Sequence, residues 1–435
     1  IKLLITTICI LIITNPFIIY NLGFIYSAIT SYGLIISSKY LKSDNYLISL
    51  LKVSLIAFLF SLPITVQNFY EINLLTVFNN LIFVPLISII IYPFSLLVFI
   101  LPFLEPILII LLNITENLAI FLSSLAINLV IPKNNWLVIL LYYLMIHLFL
   151  INYKYIFIAV ILILSPLLLV KFNNNYEVYF LDVNQGDAIL IRSPYNQENI
   201  MIDVGGKLKF KIDDWAKRKN EFNISDNIIT FFKSLGIIKI DCLVGTHGDE
   251  DHLGEAINLV NNFKVEKVIF NCSEFNELEQ DLIKVLDKKE IPYYSCIKEL
   301  NIDDNKLYFL NNKDYGNEND NSSVIYTELN NHKFLFMGDA GIAVEEDLIE
   351  KYNLENIDVL KVGHHGSKTS SSKEFVKEIN PKYSVISAGK NNRYGHPNKE
   401  VLENLGNSKI YRTDQDGSIM FKIKNNKLKI ETCAP

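Results

Sequence analysis

The chain has 435 residues, half of them hydrophobic and 20% charged, with a formal net charge of -6. The averages conceal two halves: residues 1–170 hold 10 charged side chains, whereas the remaining 265 hold 76 and a net charge of -8. A single soluble enzyme, a disulfide-stapled mini-protein and a disordered chain are excluded, and the composition step near Lys171 divides the sequence into expected domains 1–171 and 172–435.

The first residue, Ile1, lies inside an apolar run with no signal-peptide pattern, and the chain is read as a fragment of a longer protein. Crossing a bilayer takes about 20 apolar residues at 1.5 Å rise each. Residues 1–20, 22–38, 47–66, 73–92, 93–113, 135–152 and 154–171 approach that, which predicts about seven spans. The stretch 116–131 carries Asn117, Ser123, Ser124 and Asn128 and reads as an amphipathic or a re-entrant helix. One or two helices would tether a domain; seven suggest a polytopic channel or transporter. Asn79, Asn80, Pro85, Pro93, Pro102, Glu105 and Pro106 interrupt the apolar sequence, as groups lining protein or water at membrane depth do. Glu105 fits either a cavity or a loop between spans. Lys39, Lys42, Lys133, Lys154 and Lys171 alternate between sides, so loop charge does not fix orientation.

From Tyr176 the pattern changes to short strands punctuated by Gly, Asn and Asp. Residues 176–183, 187–194 and 198–206 alternate or run apolar, followed by 241–247, 264–271, a hairpin over 322–339 turning at Asn330-Asn331-His332, then 358–365, 383–389, 417–423 and 427–431. Helical patterns at 226–236, 254–263, 277–289, 343–352 and 398–405 fall between them. Two groups of strands separated by helices predict a sheet-on-sheet core with helices outside. Cys9, Cys242, Cys272, Cys296 and Cys433 form no Cys-x-x-Cys pair and no dense framework, so neither a zinc ribbon nor a disulfide scaffold is expected.

The chemistry gathers at strand ends. His247-Gly248-Asp249-Glu250-Asp251-His252 puts four metal-ligating side chains, His247, Asp249, Asp251 and His252, within six residues. Alternate residues of an extended loop point the same way, which lets His247 and Asp249 share one ion while Asp251 and His252 serve a second. Asp251 as the cap of a helix beginning near Leu253 is the alternative. Asp339 ends an apolar strand, where a carboxylate bridges two ions, and His364-His365 ends the next run. His147 reads as packed in the membrane half and His332 as solvated in the hairpin.

His247 to His252 with Asp339 and His364-His365 resembles the metallo-β-lactamase fold of binuclear hydrolases. Leu181–Ala188, with Ile202–Gly206, Thr246–Glu255, Asn321–Ile325, Gly338–Ala340, Val362–Ser371, Asn392–Pro397 and Tyr411–Ile419, resembles the motif series of ComEC-type DNA internalisation proteins. Asn79–Pro93 is similar to that family's competence segment. The resemblance implies a multi-pass α-helical membrane domain followed by a four-layer αββα metallo-β-lactamase-like domain. It also implies a channel of the bacterial inner membrane that imports single-stranded DNA, joined to a hydrolase, on the outer face, that degrades the other strand. A DNA receptor, a pilus and a helicase are implied as partners, beside membrane lipid and DNA. Asn184 stands where the family has glycine, which left-handed geometry tolerates in Asn. Many fold members carry a further His before the bridging Asp; here the interval holds only His332. The resulting oxygen-rich set leans from zinc towards manganese or magnesium, with zinc still open.

The expected chemistry is phosphodiester hydrolysis by two divalent ions that activate a shared water and clamp the phosphate. Asp339 would bridge, His247 and Asp249 would hold one ion, and Asp251, with His252 and one of His364 or His365, the other. His396 would orient the phosphate or protonate the leaving group, with packing as the alternative. Asp182 and Asp187 are expected to organise the loop near the metals, and Asp203 and Ser367 to support the ligands. Ser370, Ser371 and Ser372 fit either phosphate contact or helix capping. The net charge of -8 opposes DNA binding at long range. Lys207, Lys209, Lys211, Lys217, Arg218 and Lys219, interleaved with Phe210 and Trp215, form a basic run suited to backbone contact and base stacking. A solvated face beside Asp213 and Asp214 is the other reading.

Overall fold

A computed structural model describes residues 1–207 and 223–433. Lys209, Lys211, Lys217, Arg218 and Lys219 of the basic run therefore lie outside the described residues, as do Phe210 and Trp215. The chain forms two compact units, one built chiefly from Ile1–Leu169 and the other from Val170 onward.

The first unit is helical. Three of its helices are long and apolar enough to cross a bilayer, Tyr46–Phe69, Thr76–Ile100 and Pro102–Ser124, while Lys2–Thr14, Leu22–Ile36, Trp136–Phe149 and Tyr155–Lys171 are shorter apolar helices. The expectation of about seven full-length spans is thus reduced to three among the described residues. The shorter ones stop where capping side chains and prolines intervene. Asn15 is extended ahead of Pro16, as a residue before proline prefers, and its side chain accepts from Phe17 N. At 14 residues, Trp136–Phe149 reaches only about 21 Å. The break predicted at 92/93 also moves. Pro93 is absorbed by a π-helical stretch, Leu86–Ile91, that continues into Tyr92–Ile100. Leu101, ahead of Pro102, leaves the helical region instead. Glu105 begins the next helix, exposed between two apolar helices, and Glu116 lies within it. The polar end of the 116–131 stretch becomes β2 (Asn128–Val130), paired antiparallel with β1 (Glu71–Asn73).

The second unit has two sheets. Its strands are β3 (Tyr176–Phe180), β4 (Ile189–Arg192), β5 (Asn199–Ile202), β6 (Cys242–Val244), β7 (Val268–Phe270), β8 (Tyr293–Ser295), β9 (Glu299–Ile302), β10 (Asn305–Phe309), β11 (Ile325–Leu329), β12 (His332–Phe336), β13 (Val359–Lys361), β14 (Tyr383–Ile386), β15 (Lys409–Arg412), β16 (Ser418–Lys424) and β17 (Lys427–Cys433). The eight-stranded sheet runs β17-β16-β3-β4-β5-β6-β7-β8 and the seven-stranded sheet β15-β14-β13-β12-β11-β10-β9. The first is antiparallel up to β5 and parallel from β5 to β8; the second is parallel across β12 to β15 and antiparallel elsewhere.

Alternation sets this architecture. Ile419, Phe421 and Ile423 of β16 are buried at every second position, and their inward face meets Phe334 and Phe336 from the other sheet. Phe180 lies 6.1 Å from Phe336, ring to ring. Each such side chain contributes about 1.5–3 kcal/mol by leaving water. A separate cluster, with Leu335, Leu360, Val344, Phe375 and Val401, seats helices on the outer face of the seven-stranded sheet. The result is the four-layer αββα arrangement that the motif series implied. Parallel β5, β6 and β7 in one sheet, and β12, β13 and β14 in the other, release their chains at carboxyl ends, where loops carry groups outside the ladder.

Candidate metal centre

The turn after β6 carries His247 to His252, and its shape is held by groups from elsewhere. Asn276 Nδ2 donates to the Gly248 carbonyl at 2.7 Å, and Glu318 accepts from Gly248 N–H at 2.8 Å. A Cβ on Gly248 would lie 2.1 Å from Asn276 Nδ2, so only glycine fits. Asp249 caps the short helix Glu250–Leu253 by position, without a side-chain bond. Asp251, inside that helix, sends its carboxylate to His365 Nε2 at 3.3 Å, so the capping alternative for Asp251 is not what forms.

Three imidazoles are oriented alike. His252 Nδ1 donates to Asp203 Oδ2 at 2.8 Å, and Asp203 is fixed by Thr246 N–H at 2.8 Å and the Thr246 hydroxyl at 2.7 Å. His365 Nδ1 donates to the Ser387 carbonyl at 2.9 Å. His247 Nδ1 lies 3.2 Å from the hydroxyls of both Thr246 and Ser322. With Nδ1 engaged, each ring turns Nε2 into the centre. His247 Nε2, His252 Nε2, His365 Nε2 and Asp339 Oδ1 are all buried with no hydrogen-bond partner. Asp339 Oδ1 is 3.2 Å from His252 Nε2, and Asp339 Oδ2 is 3.5 Å from His365 Nε2. Buried polar atoms are otherwise nearly always satisfied. Convergent unpartnered nitrogens around a carboxylate fit divalent cations. Two groupings lie within ligating reach, His247 with His252 and Asp339, and Asp251 with His252 and His365.

The electrostatics follow from that convergence. Burial would raise the Asp251 carboxyl, but His365, 3.3 Å away, and His252 outweigh it and bring it down to about 2. Burial likewise opposes ionisation of Asp339, yet His365 and His252 hold it well below the usual carboxylate range. His252 moves the other way: burial disfavours its cation, while Asp339 and Asp203 raise it well above an ordinary imidazole. Lone pairs and charges that lean on each other in this way are what a bound cation would replace.

The remaining expected residues separate. Asp249 stands at the rim, 46% exposed, with Oδ2 3.5 Å from His247 Nε2. His364 is the outer histidine of its pair: Nε2 is 3.9 Å from Asp339 Oδ2 and Nδ1 meets the Thr369 hydroxyl at 3.1 Å, so His365 is the one embedded in the cluster. Burial lowers His364, and His396 is lowered for the same reason, reinforced by His364 and His365. The His396 ring sits 5.8 Å from His364 and stacks on Tyr394 at 5.7 Å, at the mouth of the site.

Asp182 is exposed and accepts from Asn184 N–H, organising its own turn rather than approaching the centre. Asn184 takes φ 67, as its glycine-replacing position requires. Asp187 is buried beside His252 and His365. The Ser367 hydroxyl accepts from Thr369, Ser370 donates to the Gly363 carbonyl, and Ser372 caps the helix Lys373–Ile379; these serines shape the turn that follows His364-His365. His332 packs near Asp358 in the hairpin, outside the site. From the interval where a further histidine was sought, the residue that arrives is Ser322, a small hydroxyl that also accepts from Asp339 N–H. Ser322, Asn276, Glu318, Lys361 and the Ser387 carbonyl were not anticipated; only Lys361, a charge inside an apolar strand, left a visible signal. A cavity of about 500 Å³ opens beside Asp339 and His364, lined also by Asn317, Asp320, Lys368 and Thr369.

Residues 1–171 match the family model described as competence protein, and residues 181–390 that of the metallo-beta-lactamase superfamily. The chain is 29% identical to ComE operon protein 3 of Bacillus subtilis over 451 residues, covering 97% of this chain and 58% of that protein. It is 27% identical to competence protein ComA of Neisseria gonorrhoeae, over 59% of this chain and 34% of the other. It thus spans less than two thirds of either relative. Among solved structures, a metallo-β-lactamase from Cronobacter sakazakii is 11% identical with a TM-score of 0.27, covering 42% of this chain and 76% of that one.

Proposed function

We propose that this chain, which belongs to the ComEC-type competence family with a competence domain followed by a metallo-β-lactamase domain, passes DNA across the bacterial cytoplasmic membrane as a single strand and hydrolyses phosphodiesters of the strand left behind. The observation that carries the hydrolytic part is the set of unpartnered His247, His252 and His365 Nε2 atoms around Asp339. They make a donor set for two divalent ions rather than a packed core.

In this reading Asp339 is shared, His247 and Asp249 serve one ion, and Asp251, His252 and His365 the other. Bound divalent ions of manganese, magnesium or zinc would supply Lewis acidity towards the phosphate and a hydroxide-like nucleophile near neutral pH. The chain's own part is orientation. Asp203 and the Ser387 carbonyl accept from Nδ1 of His252 and His365, which fixes the orientation of both rings and directs their Nε2 atoms inward, where a bound cation would take the lone pair. His396, lowered towards its neutral form at the mouth, is placed to position the phosphate or manage the leaving group's proton. The cavity beside Asp339 gives one flank of the substrate a place to lie.

The outer face of the membrane is the proposed location of the hydrolase half. Cys272 and Cys296 form a single disulfide in that half, a cross-link rather than a scaffold, and disulfides persist in oxidising compartments. Cys272 follows β7 and Cys296 follows β8, parallel neighbours whose carboxyl ends are adjacent. The spacing of 24 residues hid a pair that the sheet brings together. A DNA receptor, a pilus and a helicase are the partners that the family reading implies.

The test is cleavage of linear duplex and single-stranded DNA by the purified full chain in detergent, with manganese, magnesium or zinc, beside Asp251→Ala. Metal-dependent cleavage that falls on the order of 10³-fold in the variant is expected. A folded protein that cuts neither DNA form with any metal would sink the nuclease; turnover of a phosphodiester dye without DNA cleavage would transfer the reading to a membrane-anchored hydrolase of another phosphoester.

A further inference from the structure

A lysine lies buried beneath the centre. Lys361, the last residue of β13, has no exposed surface, and its neighbours Leu360 and Val362 are equally buried. An ammonium is almost never enclosed unless it is paired. Its Nζ contacts Asp187 Oδ2 and donates to the Gly338 carbonyl at 3.1 Å. That carbonyl also accepts from His364 N–H at 3.1 Å, and Asp187 N–H donates to the Asp251 carbonyl at 3.2 Å. One side chain therefore ties together the Gln185-Gly186-Asp187 turn, the turn before Asp339, and the backbone entering His364-His365. Through Asp187 the tie extends to the Asp251 backbone.

We propose that Lys361 is a positioning residue of the paired-metal centre and that it holds Asp187 as a counter-charge rather than releasing it as a ligand. This rests on the metal-dependent reading above. Asp187 is the competing case: its carboxylate groups with Asp339 and His365 within ligating reach, and its Oδ1 has no hydrogen-bond partner. An ammonium in contact with the same carboxylate, however, repels any divalent ion that would share it. Without Lys361 the turns carrying Asp339 and His365 lose their common anchor, and the buried Asp187 carboxylate loses the ammonium in contact with it.

The experiment is manganese binding by the full chain in detergent, followed by titration calorimetry and by the electron paramagnetic resonance of bound ion, with thermal melting of the metal-free protein alongside. Lys361→Met leaves Asp187 buried and unpaired, so it is expected to melt roughly 10 °C lower. The doubly substituted Asp187→Asn, Lys361→Met removes both charges and restores the melt. It should still bind two ions, with affinity lowered about 10–100-fold, because the Gly338 tie remains broken. Wild-type affinity in the double variant would overturn the positioning role, since Lys361 would then only neutralise Asp187. Loss of one ion from the double variant would overturn the counter-charge assignment and make Asp187 a ligand. A wild-type chain that binds no manganese, magnesium or zinc would take the whole metal-dependent reading down, and this inference with it.

Discussion

The two halves of the molecule solve opposite burial problems. In the membrane half large apolar side chains point outward: Phe99, Ile151 and Leu3 are at least 80% exposed, as suits a surface whose solvent is lipid. Its buried cluster is small, around Phe60, Tyr142 and Ile146, and polar bonds fix which helices meet. The Tyr142 hydroxyl donates to the Leu59 carbonyl at 2.8 Å and the Tyr143 hydroxyl to the Phe60 carbonyl at 3.1 Å; Tyr32 pairs with His147 Nε2 at 2.8 Å. In the hydrolase half apolar residues build the scaffold between sheets, and polar residues at strand ends are left for chemistry. Hydrophobicity is therefore the surface of one half and the core of the other. Polar groups are the packing instructions of the first and the reagents of the second.

Removing the Asp339 carboxylate is expected to have the largest effect. Asp339→Asn keeps the shape and the Asp339 N–H bond to Ser322 but strips the charge that His252 and His365 surround. The expected outcome is fewer than two bound ions by elemental analysis and a loss of cleavage on the order of 10³-fold. Helix content by circular dichroism should stay unchanged. A variant that kept both ions and its activity would mean that the strand-end polar groups are scaffold after all.

A second, smaller effect sharpens the boundary between scaffold and reagent. Glu279 forms a capping box with Asn276, the residue that holds Gly248, and its own side chain has no exposed surface. Burial raises its carboxyl, the Asn276 N–H bond opposes that, and Glu318 and Asp249 reinforce it, to about 7. The folded state thus keeps a proton that the unfolded chain releases from about pH 4.5. Stability is greatest below that pH and falls as pH rises to about 7, by on the order of 3 kcal/mol, then levels off. Glu279→Gln should abolish this slope in denaturant melts of the hydrolase half while its side-chain carbonyl still accepts from Asn276. A slope that persists in the variant would assign the titration elsewhere.

How much of this was readable in advance follows the same division. The residues that converge at the candidate centre were legible because a His-x-Asp-x-Asp-His turn, an Asp and a His pair at strand ends have few structural uses in combination. The αββα layers followed from two-residue alternation and from the motif series. What was hidden depends on residues brought together over long separations: Lys361 with Asp187, Ser322 with His247, the Ser387 carbonyl with His365, and Cys272 with Cys296 across parallel neighbours. In the membrane half hydropathy located the apolar segments but not their ends, because Pro93 is carried inside a π-distorted helix while Pro102 ends one. Composition does not distinguish the two prolines; the local register of carbonyls does.

The smallest expected effect lies where the sequence was least informative. Gly33 is the one buried residue of the helix Leu22–Ile36, and its carbonyl accepts from the Ser37 hydroxyl. A Cβ at Gly33 would lie 2.5 Å from the Phe60 ring, on the helix Tyr46–Phe69. The absence of a side chain there lets two apolar helices approach, a contact that lipid alone would not favour over its own. Gly33→Ala should therefore destabilise the helical unit by about 1–3 kcal/mol, read by unfolding in graded mixed micelles. Phe60→Leu alone should also cost stability, by loss of ring contacts with Tyr32 and His147. Combined, the two substitutions should cost less than their sum, because the smaller side chain makes room for the added methyl. Strict additivity would show that Gly33 and Phe60 do not share a contact surface, and the polar bonds of Tyr32, Tyr142 and Tyr143 would then carry the pairing of these helices by themselves.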